Sequence, residues 1–166
     1  MDARGQGELG AMNNITRVER KSDREVVVTR SFDAPARLVF DAWSKPELFK
    51  RWWVPKSMGM TLRSCEMDVR TGGSYRLGFG NGMEFFGTYL EVTPPSRIVW
   101  TNEEGGANGS VTTVTLTETD GKTLLVVSEL FPSTEALDAD GGGAADAMHE
   151  TLGQLDELLV ELASKS

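Results

Sequence analysis

The chain has 166 residues, a formal net charge of −8 and a single cysteine, Cys65. This length fits one domain with a proper hydrophobic core, and the acidic balance argues against nucleic-acid or anionic-membrane partners, because both need a basic surface. The sequence contains neither an apolar run of membrane length nor an apolar signal segment, and a lone cysteine fits a reducing compartment, so we expect a cytoplasmic protein.

The first predicted element is a polar leader. Residues 1–22 carry no sustained apolar period, so we expect a flexible N-terminal leader before one domain that spans residues 23–164. Met12 is an alternative start, and whether residues 1–11 belong to the native protein is left open. The β-branched run EVVVTRSF, which begins at Glu25, then predicts a strand.

Two short helices are predicted next, within residues 31–55. Asp33 is expected to cap the first helix, with Pro35 in its first turn. Ser44 and Glu47 form a capping-box pattern for the second helix. This segment holds three of the tryptophans, so we expect it to form a large apolar cover over another part of the fold.

Six further strand-like segments follow, separated by turn signals. Asn81–Gly82 and Asp120–Gly121 are typical of two-residue hairpin turns, and Pro94–Pro95 ends a strand. The connections are too short for parallel crossovers, which predicts an antiparallel meander. The last element is a long one-sided helix, in which apolar residues recur every three or four positions: Met148, Leu152, Leu155, Leu159 and Leu162.

Four blocks of the sequence resemble a known family. They are FDAPARLVFDAWSKPELFKRWW, CEMDVRTGGSYR, GTYLEVTPPSRIVWT and FPSTEALD, the last followed by MHETLGQLDELL. In them the chain resembles bacterial proteins related to the C-terminal domain of the activator of heat-shock-protein-90 ATPase, in the SRPBCC (START-like) superfamily. The resemblance implies an α+β helix-grip fold: a curved antiparallel sheet of six or seven strands around a long C-terminal helix, with two short helices after the first strand.

The resemblance also implies a ligand cavity between the sheet and the last helix, lined by apolar and aromatic side chains. Where many relatives carry Gly–Trp early in that helix, this chain has Ala147–Met148, which should alter the cavity volume. Adjacent residues on a helix lie about 100° apart, so only one of Trp52 and Trp53 should face the cavity. The expected cavity residues are Trp52, Trp53, Met60, Tyr75, Leu77, Phe79, Phe85, Trp100, Met148, Leu152 and Leu155.

Few polar residues are candidates for anchoring a ligand or for catalysis. Arg70 alternates onto one strand face with Asp68, so it is either a structural partner of Asp68 or a polar anchor for a ligand headgroup. His149, Asp68 and Glu91 are weak candidates for catalysis, since no partner for any of them is evident in sequence. Cys65 is expected to be a small buried residue and not a nucleophile.

Neither a metal nor a cofactor is expected. Zinc needs about four nitrogen or sulfur ligands, and the chain has one histidine and one cysteine. Glycine patterns typical of phosphate or dinucleotide binding do not occur in the required strand-to-helix setting. The acidic residues between Glu129 and Asp156 are interpreted as a solvated face.

The sequence therefore favours a cytoplasmic protein that binds a lipophilic small molecule, with no nucleic-acid or membrane partner. Two alternatives stay open. One is an enzyme of cyclase, dehydratase or hydrolase type on a polyketide-like or aromatic substrate, although the balance is against catalysis. The other is a chaperone-associated stress-response protein with an exposed apolar patch near Trp52 and Trp53. A homodimer through sheet edges or the helical cover is also left open.

Overall fold

A computed structural model describes residues 15–59, 62–79, 82, 84–103, 109–140 and 143–165. The strands in these ranges are β1 Arg17–Arg20, β2 Glu25–Phe32, β3 Ser64–Met67, β4 Ser74–Gly78, β5 Glu84–Thr93, β6 Arg97–Thr101, β7 Val111–Thr119 and β8 Lys122–Leu130. The helices are α1 Ala36–Ser44, α2 Pro46–Trp52, α3 Thr134–Asp140 and α4 Gly143–Lys165, with a short 3-10 helix at Lys56–Met58.

The strands form one antiparallel sheet in the order β1-β2-β8-β7-β6-β5-β4-β3. The predicted helix-grip fold is confirmed: a curved sheet with a long C-terminal helix and two short helices after β2. The Asp120–Gly121 turn joins β7 to β8 with φ angles of 55° and 80°, as a two-residue hairpin turn of this type requires. Asn81 of the other hairpin pair lies outside the described residues.

The strand count differs from the expected six or seven, because β1 makes eight within the described ranges. All four residues of β1 are exposed, and the strand pairs with β2 alone, from Arg17 opposite Thr29 to Arg20 opposite Val26. An edge strand of this kind is held by backbone hydrogen bonds and shows no apolar alternation in sequence. The expected leader, residues 1–22, therefore includes a strand.

The predicted cap of α1 is wrong. The N-cap position belongs to Pro35, and the Ala36 N–H donates to the Glu118 carboxylate of β7 at 2.8 Å. Asp33 pairs instead with the Lys122 ammonium group at 3.2 Å. A carboxylate that is distant in sequence thus satisfies the first free N–H of the helix.

The predicted capping box of α2 is wrong as well. Lys45 is the N-cap residue and makes no side-chain cap bond, while Pro46 and Glu47 lie in the first turn. Ser44 ends α1 and its hydroxyl donates to the Phe40 carbonyl oxygen at 2.8 Å. Pro46 has no N–H to be capped, which reduces the need for a side-chain acceptor here.

The hydrophobic core lies between the concave face of the sheet and helices α1, α2 and α4. Strands β2, β7 and β8 alternate buried and partly exposed residues, as one-sided sheet burial requires. Helix α4 buries Leu152, Leu155, Leu158 and Leu159 against this face. Among the described helices, none is long and apolar enough to cross a membrane.

Candidate functional site

A cavity of about 780 Å³ opens between the concave face of the sheet and the helices. Its wall combines α1 and α2, the segment that follows α2, strands β3 to β8, and helices α3 and α4. Most of the lining side chains are aromatic or apolar. Among the residues expected from sequence, the wall contains Trp53, Tyr75, Leu77, Phe79, Phe85, Trp100 and Met148.

Three residues expected in the cavity lie elsewhere. Trp52, Leu152 and Leu155 are fully buried in the core and are absent from the cavity wall. An apolar helical stripe fits both a core and a cavity, so its periodicity does not separate the two. Met60 lies outside the described residues.

The two adjacent tryptophans face different surroundings. Trp52 packs inside the core, where its indole N–H donates to the Ala42 carbonyl oxygen at 2.9 Å. Trp53 is the C-cap residue of α2, is partly exposed, and lines the cavity with its ring centroid 4.8 Å from that of Phe49. Trp53 is therefore the member of the pair that lines the cavity, and Trp52 packs in the core and not on an outer surface.

All four tryptophans of the chain meet around Trp43. The Trp43 ring centroid lies 4.7 Å from that of Trp52, and 5.9 Å from those of both Trp53 and Trp100. Trp43 also contributes to the cavity wall, and its buried indole N–H has no hydrogen-bond partner among the described residues. Leaving such a donor unpaired costs about 1–3 kcal/mol.

One charged residue in the wall was missed from sequence. Glu129 belongs to a row of paired inward residues that crosses five strands: Val26, Glu129, Thr112, Trp100 and Tyr89. Its place in the cavity wall corrects the interpretation of Glu129 as part of a solvated face. The signal was present in the sequence, because Glu129 interrupts the inward alternation of β8 after Leu125 and Val127.

Hydrogen bonds connect Glu129 to the neighbouring strands. Asn102 Oδ1 accepts from the Trp100 indole N–H at 3.2 Å. Asn102 Nδ2 donates to Ser110 Oγ at 3.0 Å and to Thr112 Oγ1 at 2.9 Å. Ser110 Oγ in turn donates to the Glu129 carboxylate at 2.5 Å. We call Asn102, Ser110, Thr112 and Glu129 the polar subsite; all four line the cavity.

Tyr75 adds an aromatic edge beside this subsite. Its hydroxyl donates to the Thr101 carbonyl oxygen at 2.8 Å and lies 3.2 Å from Asn102 Oδ1. The neighbouring Tyr89 is buried, and burial raises the pKa of its hydroxyl, with Cys65 and Asp68 adding to the effect. Tyr89 is therefore a neutral part of the wall at ordinary pH.

The polar residues proposed from sequence lie outside the cavity wall. Arg70 Nε pairs with Asp68 Oδ2 at 2.9 Å, and both side chains are exposed, which fits a structural pair better than a ligand anchor. His149 is exposed on α4. Glu91 pairs with Arg97 at 3.1 Å, and hydrogen bonds from Arg97 and Thr93 lower the pKa of its carboxyl. The periodicity of the sequence assigns these polar residues to a face of a strand or helix, but it does not indicate which face borders the cavity.

Cys65 is half-buried on β3. Burial raises the pKa of its thiol, with a smaller opposing effect from Lys50. A raised pKa keeps the less reactive thiol form at neutral pH. Within the described residues, no group of three or more His, Cys, Asp or Glu side chains is arranged to hold a metal ion.

The segment after α2 forms one rim of the cavity through Trp53, Val54, Pro55 and Met58. Gln154 of α4 fixes this rim: its Nε2 donates to the Trp52 and Val54 carbonyl oxygens at 3.0 and 2.9 Å, and its Oε1 accepts from the Lys56 N–H at 2.8 Å. One turn earlier, Glu150 accepts from the backbone N–H and the hydroxyl of Ser57 at 2.9 and 2.6 Å.

Comparison with known proteins gives a family and a set of similar structures. The family model described as "Activator of Hsp90 ATPase homolog 1-like protein" matches residues 33–160, well over half of the chain. No curated protein matches the chain.

Similar solved structures come from several bacteria. A Rhodobacter sphaeroides protein shares 22% identity with a TM-score of 0.77, over 89% of this chain and 99% of that one. Protein Ms6760 from Mycobacterium smegmatis shares 22% identity with a TM-score of 0.73, over 89% and 99% of the two chains. A Staphylococcus epidermidis protein shares 27% identity with a TM-score of 0.70, over 87% and 93%. These likenesses concern the fold.

Proposed function

We propose that this chain, which belongs to the family of Activator of Hsp90 ATPase homolog 1-like proteins, binds a lipophilic small molecule in the cavity between the sheet and helix α4. The observation that carries the proposal is the cavity itself, at about 780 Å³ with a largely aromatic and apolar wall. Binding sites for drug-sized molecules span roughly 300–1,000 Å³ and have this kind of lining.

Ordinary core packing does not account for a space of this size. Protein interiors pack about as densely as organic crystals, and their voids seldom exceed a water molecule. A large apolar space forfeits dispersion contacts along its whole wall, and a bound apolar molecule would restore them. The cavity is not fully enclosed, so a ligand has an entry route that a closed packing defect would lack.

The test is a screen of lipophilic compounds followed by mapping of NMR shifts onto the chain. We expect hits to shift resonances of Trp53, Leu77 and Met148, and to raise the free energy of unfolding by about 2.7 kcal/mol at a ligand concentration of 100 Kd. A broad screen without hits, or hits whose shifts map outside the cavity, would contradict the proposal.

Two substitutions on α4 provide a matched comparison. Met148→Trp should fill part of the cavity and weaken binding by at least about tenfold, because a ligand and the new indole compete for one space. Val160→Trp places the same indole at a position that is 65% exposed on the same helix. This control should bind as the wild type does.

One observation favours a second candidate function, an enzyme that acts on an aromatic or polyketide-like substrate. Glu129 is a titratable group in a largely apolar wall, and such groups are the usual sources of general acid or base catalysis. Here Glu129→Gln should abolish turnover of a bound substrate while binding persists. Equal turnover by the wild type and by Glu129→Gln would show that Glu129 is not the catalytic acid or base.

A further inference from the structure

We infer that two hydroxyl groups in the cavity wall, those of Tyr89 on β5 and Thr151 on α4, donate hydrogen bonds to the ligand, and that the ligand is an aromatic molecule with a neutral oxygen acceptor such as a ketone. This inference rests on the proposed function, since it specifies the chemistry of the molecule that the cavity takes.

The first step is that neither hydroxyl is bonded within the protein. Both residues are buried, with 4% of Tyr89 and 3% of Thr151 exposed. Among the described residues, neither Tyr89 Oη nor Thr151 Oγ1 makes a hydrogen bond. Tyr75 differs in this respect: its ring centroid lies 5.6 Å from that of Tyr89, and its hydroxyl donates to the Thr101 carbonyl oxygen. Buried polar groups usually have a partner, so these two hydroxyls require an explanation.

The second step is that both hydroxyls border open space. Among the described residues, the side-chain atoms that are sealed by packing and lack a partner are Arg30 Nε and Trp43 Nε1. Tyr89 Oη and Thr151 Oγ1 are not sealed in this way, although their residues are buried. Since both residues line the cavity, the space in front of their hydroxyls is the cavity itself.

The third step is the position of the two hydroxyls on different walls. Tyr89 lies next to Trp100 in the register of β5 with β6. Thr151 follows Met148 by three residues on α4, so the two side chains lie on one face of the helix, and both line the cavity. A molecule held between the sheet and α4 therefore has a hydroxyl donor on either side of it.

The fourth step is the direction of the hydrogen bonds. Burial raises the pKa of the Tyr89 hydroxyl, which therefore keeps its proton at neutral pH. The aromatic ring withdraws electron density from the phenolic oxygen, so a phenol is a better donor than acceptor. A carbonyl oxygen has two lone pairs and no proton, which makes it complementary to a hydroxyl donor. A neutral group also costs less to bury in an apolar wall than an ionised one.

The experiment compares three flat tricyclic probes of nearly the same shape: 9-fluorenone, which only accepts hydrogen bonds, carbazole, which donates through its N–H, and fluorene, which does neither. The measured quantity is the ratio of the fluorene Kd to the fluorenone Kd within each protein. We expect Tyr89→Phe and Thr151→Val each to lower this ratio about two- to tenfold, and the double variant to lower it at least about fivefold. Fluorene binding should persist in all three variants, which shows that the cavity is intact.

Two further variants are controls. Thr151→Ser retains the hydroxyl and should keep the preference that Thr151→Val loses. Thr113→Val removes a threonine hydroxyl from the neighbouring outward position on β7, outside the cavity wall, and should leave the ratio as in the wild type.

The inference is overturned if the double variant keeps the wild-type ratio while fluorene still binds, and the proposed function then stands. It is also overturned if the variants weaken carbazole and spare fluorenone, since the hydroxyls would then act as acceptors. A single variant that matches the wild type overturns the part of the inference that concerns its hydroxyl. Failure of all three probes to bind the wild type overturns the inference and the proposed function together for flat aromatic ligands.

Discussion

At the scale of single residues, Trp52 and Trp53 show how neighbours in sequence divide between core and cavity. Trp52 is fully buried and hydrogen-bonded to Ala42, while Trp53 is partly exposed in the cavity wall. The roughly 100° between successive helical residues separates the two directions. Stability and binding should therefore depend on different members of the pair.

Alanine substitutions test that division. Trp52→Ala should lower the free energy of unfolding by about 3–5 kcal/mol, because it leaves a large cavity in the core. Trp53→Ala should cost only about 1–2 kcal/mol, since its ring is partly exposed, but should weaken the binding of cavity ligands. Urea unfolding and ligand titration measure the two effects. Equal losses of stability would contradict the assignment.

Glu150 supplies a pH-dependent contact at the cavity rim. Hydrogen bonds from the Ser57 hydroxyl and backbone N–H lower the pKa of the Glu150 carboxyl. A group whose folded pKa is lowered stabilises the fold above its unfolded pKa, about 4.3, and this contribution is lost as pH falls through the folded pKa.

We therefore expect the Ser57 amide resonance to titrate with a midpoint below about 4.3, as the bond from Ser57 breaks on protonation of Glu150. In Glu150→Gln this titration should disappear. A two-dimensional NMR series between about pH 3 and 6 covers the window on both sides of the unfolded pKa. A midpoint above the unfolded value would mean that the hydrogen bonds do not favour the ionised form.

At the scale of elements, the segment after α2 is positioned by α4 rather than by its own conformation. Gln154 is buried and makes three hydrogen bonds to backbone groups of residues 52–56. Those groups belong to a helix end and a loop, where backbone partners are scarce. The cavity rim thus depends on the Gln154 amide of a distant helix, together with Glu150 one turn earlier.

Gln154→Leu should remove this support. Three backbone groups would lose their partner, and we expect a loss of about 2–4 kcal/mol in unfolding free energy together with faster amide exchange at Lys56. Glu157→Gln is the matched control on the same helix, because the exposed Glu157 carboxylate lies 4.0 Å from the Lys56 ammonium group. That pair is worth at most about 1 kcal/mol. Similar losses in both variants would argue against the role of Gln154.

At the scale of the whole molecule, the sheet and helices bring the four tryptophans of the chain together around Trp43, and three of them line the cavity. Trp43 touches the other three rings, and Trp43, Trp53 and Trp100 line the cavity wall. These residues come from α1, from the end of α2 and from β6, so only the complete fold brings them together.

Intrinsic fluorescence should therefore report cavity occupancy. A ligand that fills the cavity is expected to change the tryptophan emission, since it replaces water and void next to three indoles. Trp53→Phe should reduce the change in emission, whereas Trp52→Phe should preserve most of it, because Trp52 lies outside the wall. Emission that stays constant while NMR shows saturation would contradict this arrangement.

The sequence by itself determined the order of the elements, the antiparallel meander and the one-sided last helix. These follow from local periodicity and turn chemistry, as the Asp120–Gly121 hairpin illustrates. It did not reveal β1, because an exposed edge strand has no apolar pattern, nor the capping of Ala36 by the distant Glu118.

Only the tertiary structure decided which inward residues face the core and which face the cavity. Leu152 and Trp53 both lie on apolar faces, yet one is closed in by packing and the other borders open space. The same holds for Glu129, whose place in the cavity wall depends on the register of β8 with β7 and of β7 with β6. Periodicity specifies the direction of a side chain, whereas the volume in front of it depends on how far apart the sheet and helices pack.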